Sequence, residues 1–446
     1  MCWISYQQKL IAYLFFSSNS MNIVKFIRLE LKLKMFKIEQ KKDSVLLNPQ
    51  NYLGVKGMIV FIAFMGMFIP LSIDLYLPAM PSMAQYFQTT SAMINLTLVA
   101  FFVFFAIGII VFGPLSDKYG RKKILVIGLI LYIGGSIACA LALSIYQLIV
   151  FRVLQGLGAG NITSIATALV KDCFSGKMKS KILAIVQVMG VLAPMVAPIA
   201  GALILQIGGT WRDTFWVLAV TGVLNGFLVF LFQESLPKEK RYQGTLIGSL
   251  QRLLIVGKNP GFTFFLLIAA VLSAPYMAYV AMSSYIYENT FALSVQAYSY
   301  FFAANSAFAI LGPIVYIRSI GRFSPRLFTQ CCFGVAFISG LSLFFFGNHS
   351  PWLFLMTFLP FTLVEGAIRP LSTDILLEQQ KEDIGAASSL INAVHTILGS
   401  VGMVLCSFAW NNMIDMLGIM IISSVVLAIL LWIILMYSTM KVIGLK

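Results

Sequence analysis

The sequence predicts an all-α membrane protein of twelve transmembrane helices arranged as two six-helix halves, and three observations carry that expectation. First, 59% of the 446 residues are hydrophobic and only 11% are charged, with a mean hydropathy of +0.91, so the chain holds too little polar surface to cover a water-soluble globule. Second, apolar runs long enough to cross about 30 Å of hydrocarbon recur from Lys56 onward, separated by polar or Gly/Pro breaks. Third, Lys and Arg gather in every second connection, the pattern of a polytopic protein whose basic loops stay on the cytoplasmic side.

The chain divides, in order, into a basic cytoplasmic tail (1–55), a first six-helix half (56–233), a linker (234–260), a second half (261–440) and a short C-terminus (441–446). In the tail, the seven apolar residues Leu10 to Phe16 are too few to span a bilayer. The basic residues follow this run rather than precede it, unlike a cleaved signal peptide. Ile23 to Ile38 reads as a basic amphipathic helix on an anionic leaflet. A start at Met21 or Met35 is the alternative, which would make the tail an artefact.

The expected spans are 57–77, 92–115, 123–143, 147–170, 182–206 and 213–233, then 261–284, 298–317, 326–346, 352–374, 384–409 and 413–437. Lys118, Arg121, Lys122 and Lys123 follow span two, Lys171, Lys177, Lys179 and Lys181 follow span four, and Lys238, Lys240, Arg241, Arg252 and Lys258 follow span six. Arg318, Arg322, Arg326, Lys381 and Lys441 continue the alternation, so both termini are expected in the cytoplasm.

The net charge of +15 therefore lies at helix ends and in the tail, which points to a lipid bilayer and not to nucleic acid as the partner. Six cysteines lack C-x-x-C spacing, and His349 and His395 are the two histidines, so no metal site, cofactor or disulfide framework is expected. No catalytic constellation and no nucleotide-binding G-x-x-x-x-G-K-S/T loop is present, which argues against an enzyme and against ATP as the energy source.

Between spans two and three lies GPLSDKYGRKKIL, Gly113 to Leu125. Gly113 and Pro114 are expected to end the helix, Gly120 to allow a tight turn, and Asp117 to pair within the basic cluster that includes Arg121. The segment resembles the loop-two motif of the major facilitator superfamily, roughly G-x-L-A/S-D-R/K-x-G-R-R/K, with every fixed position matched. Gly312-Pro313 and Gly321-Arg322 echo it at span eight, two residues longer and without the acid, as expected of parallel six-helix repeats. The resemblance implies the major facilitator fold, with spans one, four, seven and ten lining a central cavity, and it makes Gly113, Asp117, Gly120 and Arg121 a conformational gate.

Ionisable residues inside a span are costly and are functional candidates. Asp74 in span one and Arg152 in span four each stand about 18–19 residues from the cytoplasmic end, so both lie about 27 Å up the bundle and can meet. The alternatives are that Asp74 emerges among the outer headgroups and that Arg152 snorkels outward. Arg152, Gln155, Gly156, Gly158 and Ala159 resemble the R-x-x-Q-G-x-G-A motif of drug:proton antiporters. Asp74, Tyr76, Leu77, Pro78, Ala79, Met80 and Pro81 resemble the D-x-Y-L-P-A-M/L-P signature of the Bcr/CflA drug-resistance branch. The antiporter resemblance implies a part for Arg152 in proton coupling, and the shared depth makes Asp74 its expected partner in it.

In span five, Gly190, Pro194, Pro198 and Gly201 share one face and resemble the family's helix-five antiporter motif, with Ala193 and Ala197 replacing two of its glycines. A plain small-residue packing face reads the same way. Trp211 to Trp216, WRDTFW, resembles the opening of the family's sixth helix. In the second half, Glu365 and Arg369 are i,i+4 neighbours able to neutralise each other, and His395 lies at similar depth. These charges depart from the Bcr/CflA pattern. With Tyr76, Gln155 and Tyr276 they are the candidates for a substrate cavity, alongside Tyr279, Tyr285 and Tyr287.

The function expected is export of a small organic molecule, a drug foremost, across the bacterial inner membrane by a monomeric proton-coupled antiporter. Export of an endogenous metabolite such as a siderophore is the alternative. A membrane-embedded enzyme and a non-transporting scaffold are the readings from other classes.

Overall fold

The computed structural model describes residues 50–174, 176–244, 246–379, 384–408, 410–440, 442 and 444–445. The tail expectations for residues 1–49 lie outside this set. The described chain is helical: α1 (Gly54–Tyr86), α2 (Ser91–Tyr119), α3 (Arg121–Ala140), α4 (Ile145–Cys173), α5 (Gly176–Gln206) and α6 (Trp211–Leu231) form the first half. A short helix α7 (Leu246–Gly257) lies in the connection. The second half holds α8 (Pro260–Thr290), α9 (Val295–Ser319), α10 (Pro325–Phe346), α11 (Pro351–Glu378), α12 (Ile384–Cys406) and α13 (Met413–Tyr437). Among the described residues, 11 helices are long and apolar enough to cross a membrane, and α5, with 31 residues, supplies the twelfth span.

Helix starts follow local chemistry. Thr90, Ser144, Asn259, Ser294, Ser324, Ser350 and Asn412 cap α2, α4, α8, α9, α10, α11 and α13 through side-chain oxygens that accept from first-turn amides. Pro260, Pro325 and Pro351 then occupy positions whose missing N–H costs nothing. Thr210 and Asp213 form a capping box at α6. Beside it Arg212 bonds Tyr86 Oη at 3.1 Å and the Ala142 carbonyl at 2.9 Å, tying α6 to the ends of α1 and α3.

Several boundaries differ from the sequence expectation by a few residues, and two of them have a local cause. α2 does not stop at Gly113-Pro114 but runs on to Tyr119. A proline within a helix forfeits one hydrogen bond, and α2 tolerates that loss while its packing continues. The stop comes at Gly120, whose φ of +99° no L side chain adopts easily. α1 runs past residue 77 as a broken helix: Phe68–Asp74 gives way to a 3₁₀ turn at Leu77–Ala79 and resumes as Met80–Tyr86. Tyr76-Leu77-Pro78 redirects the helix without ending it.

α2 packs on α12, and α5 on α9, where the two halves meet. The end bearing Gly120 and α7 is called the linker end here. At the far end, Tyr285 Oη donates to the Met80 carbonyl at 3.3 Å and Asn95 Nδ2 reaches Met282 Sδ at 3.2 Å, closing α1 and α2 against α8. The outward faces of α6 (Val220, Phe227, Phe230) and α13 (Leu430, Ile434) are exposed and apolar, as a surface against lipid tails must be.

Candidate functional site

The linker-end network is built on the first turn of α3, where helical amides have no intrahelical partner. The Glu234 carboxylate fills that need, accepting from the amides of Arg121 at 3.0 Å and Lys122 at 3.2 Å. The Arg121 guanidinium, almost fully buried, donates to Asp117 at 2.6 Å, to Asp172 at the end of α4 at 2.8 Å, and to Ser116 Oγ at 2.6 Å. Arg241 approaches Glu234 at 3.8 Å, and the Tyr242 amide donates to the Asp117 carbonyl at 3.0 Å. The gate residues Asp117, Gly120 and Arg121 are thus brought together, while Gly113 lies one turn back against Ser164 of α4. The bonds run among α2, α3, α4 and the start of the linker. Asp172 and Glu234 went unassigned in the sequence because neither falls within the thirteen-residue motif.

A Cβ on Gly120 would stand 2.5 Å from a Glu234 carboxylate oxygen and 2.8 Å from an Arg241 nitrogen. Its backbone conformation is one that only glycine occupies without strain. Gly120→Ala is therefore expected to cost about 1–3 kcal/mol. Thermal unfolding of the purified variant in detergent reads the loss, and an unchanged Tm contradicts it.

Within the first half, Arg152 is the centre of a second network. The side chain is 0% exposed. It donates to the carbonyls of Ser72 at 3.0 Å and Thr97 at 3.3 Å, to Gln155 Oε1 at 2.5 Å, and to Tyr76 Oη at 3.4 Å. Its charge also lies over the rings of Phe101 at 4.3 Å and Tyr76 at 4.7 Å, with Phe215 at 5.8 Å. Ser72 passes the network to Tyr132 at 2.6 Å, and Gln155 passes it to Ser136 at 2.8 Å. α1, α2, α3 and α4 are clamped through one guanidinium. Gly156 and Gly158 make the clamp compact, their Cα atoms pressed on the backbones of Phe101 in α2 and Tyr132 in α3.

Asp74 does not join this clamp. Ser72 and Tyr76 present one face of α1 to Arg152, and Asp74, two residues from each, faces the opposite way. Among the described residues it has no hydrogen bond or ion pair, although it is only 5% exposed. Its charge reaches Tyr276 and Tyr298 of the second half. The expected Asp74–Arg152 meeting is thus absent here: they share a depth but not a side of the helix. Tyr76 and Gln155, expected in the cavity, are fully buried partners of Arg152. Tyr279 is also core, stacked on Phe358 at 4.2 Å.

Tyr276, Glu365, Arg369 and His395 do come together. Tyr276 is half-buried and within electrostatic reach of Glu365, Asp74 and Arg369. Glu365 is 9% exposed, whereas Arg369 is exposed. The ion pair that their spacing permits does not form; among the described residues neither side chain has a bonded partner. His395 Nδ1 pairs with Ser273 Oγ at 2.8 Å, and its Nε2 is buried without a partner. By helix rise from the linker end, Arg369 stands about 13 Å up, His395 about 16 Å, Glu365 about 20 Å, Tyr276 about 24 Å and Asp74 about 30 Å. Ordered by height, these residues form a polar ladder. A separate cavity of about 550 Å³, lined by Tyr316, Asp374 and Glu378, lies at the linker end of the second half, below this ladder.

In α5, Gly201 lets the helix lie directly on the Leu75 carbonyl of α1, with Pro78 Cγ 3.4 Å from where a Cβ would stand. Pro194 and Pro198 lie within the same continuous helix. The side-chain surroundings of Gly190 fall outside the described residues. Gly402 of α12 meets the Ala274 carbonyl of α8 in the corresponding way, so the close approach recurs in both halves.

The sequence profile of the Major Facilitator Superfamily matches residues 58–403. An uncharacterized MFS-type transporter of Bacillus subtilis, YdgK, is 29% identical over 389 residues, which cover 85% of this chain and 95% of the relative. A bicyclomycin resistance protein homolog of Haemophilus influenzae is 25% identical over 379 residues, 81% of this chain and 92% of that one. Among solved structures, the peptide transporter POT in complex with sulfate superposes with a TM-score of 0.70 at 16% identity, covering 88% of this chain and 96% of that one. With its twelve spans, its paired halves and its linker-end motif network, the chain belongs to the major facilitator superfamily.

Proposed function

We propose that this protein is a proton-coupled antiporter that exports small organic molecules, drugs foremost, from the cytoplasm across the bacterial inner membrane by alternating access. The observation that carries the reading is Asp74: a carboxylate in the broken segment of α1, buried at the seam between the halves and without a bonded partner among the described residues. Such a group is expensive in a membrane and is where proton exchange is expected. The relative named for bicyclomycin resistance supports the drug class.

On this reading the linker end is cytoplasmic, with the boundaries 56–233, 234–260 and 261–440 for the halves and their linker, and the basic loops support it. With that orientation the far-end closure corresponds to an inward-facing state, and Asp117, Gly120 and Arg121 act by releasing Glu234 and the linker when the halves rock. The protein is taken to work as a monomer.

Exposed positions allow a direct topology test. In a Cys331→Ser background, Leu143→Cys at the far end is expected to react with a membrane-impermeant maleimide in intact cells, and Gln243→Cys in the linker is not. Labelling of Gln243→Cys would invert the orientation.

Export of an endogenous metabolite such as a siderophore is the second reading, favoured by the charges of Glu365 and Arg369, which a hydrophobic-drug cavity does not need. Growth of expressing and deleted cells across a panel of toxic compounds and under iron limitation separates the two. Resistance to several unrelated drugs supports the first; a growth defect confined to one nutrient condition replaces it with the second.

A further inference from the structure

Glu365 and Arg369 sit at the spacing where opposite charges on a helix ordinarily pair, yet they do not. Glu365 is buried, and Arg369 remains exposed nearer the linker end. Both side chains lack a bonded partner among the described residues, and the buried Nε2 of His395, within reach of the Arg369 charge, lacks one too. A structural ion pair would have closed this gap. An open one leaves a cation low on the ladder, a carboxylate one helical turn higher, and Asp74 above that. Unpaired charges and polar atoms in a membrane interior are unfavourable until something neutralises them. A ligand that carries both signs neutralises both, whereas one with a single charge leaves the other uncompensated.

We propose that Glu365, Arg369 and His395 form a two-sign subsite that selects amphoteric molecules, with a carboxylate held by Arg369 and His395 and an ammonium held by Glu365. The inference rests on the export reading and narrows its substrate class. The separation along α11 sets the ligand's length: four residues rise about 6 Å, so the two charged groups stand about that far apart. The guanidinium binds a carboxylate through two parallel N–H donors, which an ammonium cannot reproduce.

Three molecules of one shape test this: 4-(aminomethyl)benzoic acid, which is zwitterionic, its methyl ester, which is only cationic, and 4-methylbenzoic acid, which is only anionic. Binding to the purified full-length protein at neutral pH is measured by calorimetry, without any gradient. The zwitterion is expected to bind at least about tenfold more tightly than either analogue. Arg369→Gln brings its affinity down to that of the ester, Arg369→Lys keeps part of the preference, and Glu365→Gln brings it down to that of the acid. Elution of each variant as a monodisperse peak establishes that the loss is not unfolding. Equal binding of the three, tightest binding of the ester, or binding of none overturns the proposal. Loss of gradient-driven export with the zwitterion preference intact would instead overturn the export reading alone.

Discussion

Arg152→Ala is expected to lose both stability and transport, with the larger effect on stability. The guanidinium is fully buried, and it satisfies two backbone carbonyls and two side chains drawn from α1, α2 and α4. A hydrogen bond to a charged group contributes about 1.5–3 kcal/mol, so removing the set and leaving a void is expected to cost about 3–5 kcal/mol after partial relaxation. Arg152→Lys keeps a cation over Phe101 and Tyr76 but not the fork that spans Ser72, Thr97 and Gln155, so an intermediate loss is expected. Thermal unfolding in detergent, read with transport at equal expression, gives the order wild type, lysine variant, alanine variant. A stable, correctly folded alanine variant that fails only in proton coupling would return Arg152 to the role that the sequence motif suggested.

Asp74→Asn should behave in the opposite way. The carboxylate makes no hydrogen bond among the described residues that the amide would have to reproduce, so the fold and ligand binding are expected to survive the change. Export driven by a pH gradient is expected to fall by at least about tenfold, since the amide carries no exchangeable charge at the unpartnered acid of the first half's seam. Export down a substrate gradient alone should persist. The contrast between a variant that loses its structure and one that loses only its coupling separates the clamp from the proton site.

Much of the architecture was legible because it rests on composition and charge placement, which a membrane constrains tightly. The depth of a residue in its span was legible too: Asp74 and Arg152 do lie at comparable heights. Helix rotation was not, because the period that puts Ser72 and Tyr76 on Arg152 turns Asp74 away, and one sequence does not show which face meets which neighbour. Glu365 and Arg369 repeat the lesson, since i,i+4 spacing permits a pair while the fold buries Glu365 and leaves Arg369 exposed. Asp172 and Glu234 were missed for a different reason: they join the Arg121 network from more than fifty positions away, and only folding reveals the contact. The extent of α2 past Pro114 shows tertiary packing outweighing a local breaker.

The central claim is that Asp74 is where substrate and proton exchange. Its most direct test is proton release from purified protein in weakly buffered detergent, monitored with a pH indicator while a compound drawn from the resistance panel is added. Wild type is predicted to release protons as the compound binds, and Asp74→Asn to bind the compound without releasing them. Proton release by Asp74→Asn equal to wild type would contradict the account and move the coupling site down the ladder to Glu365.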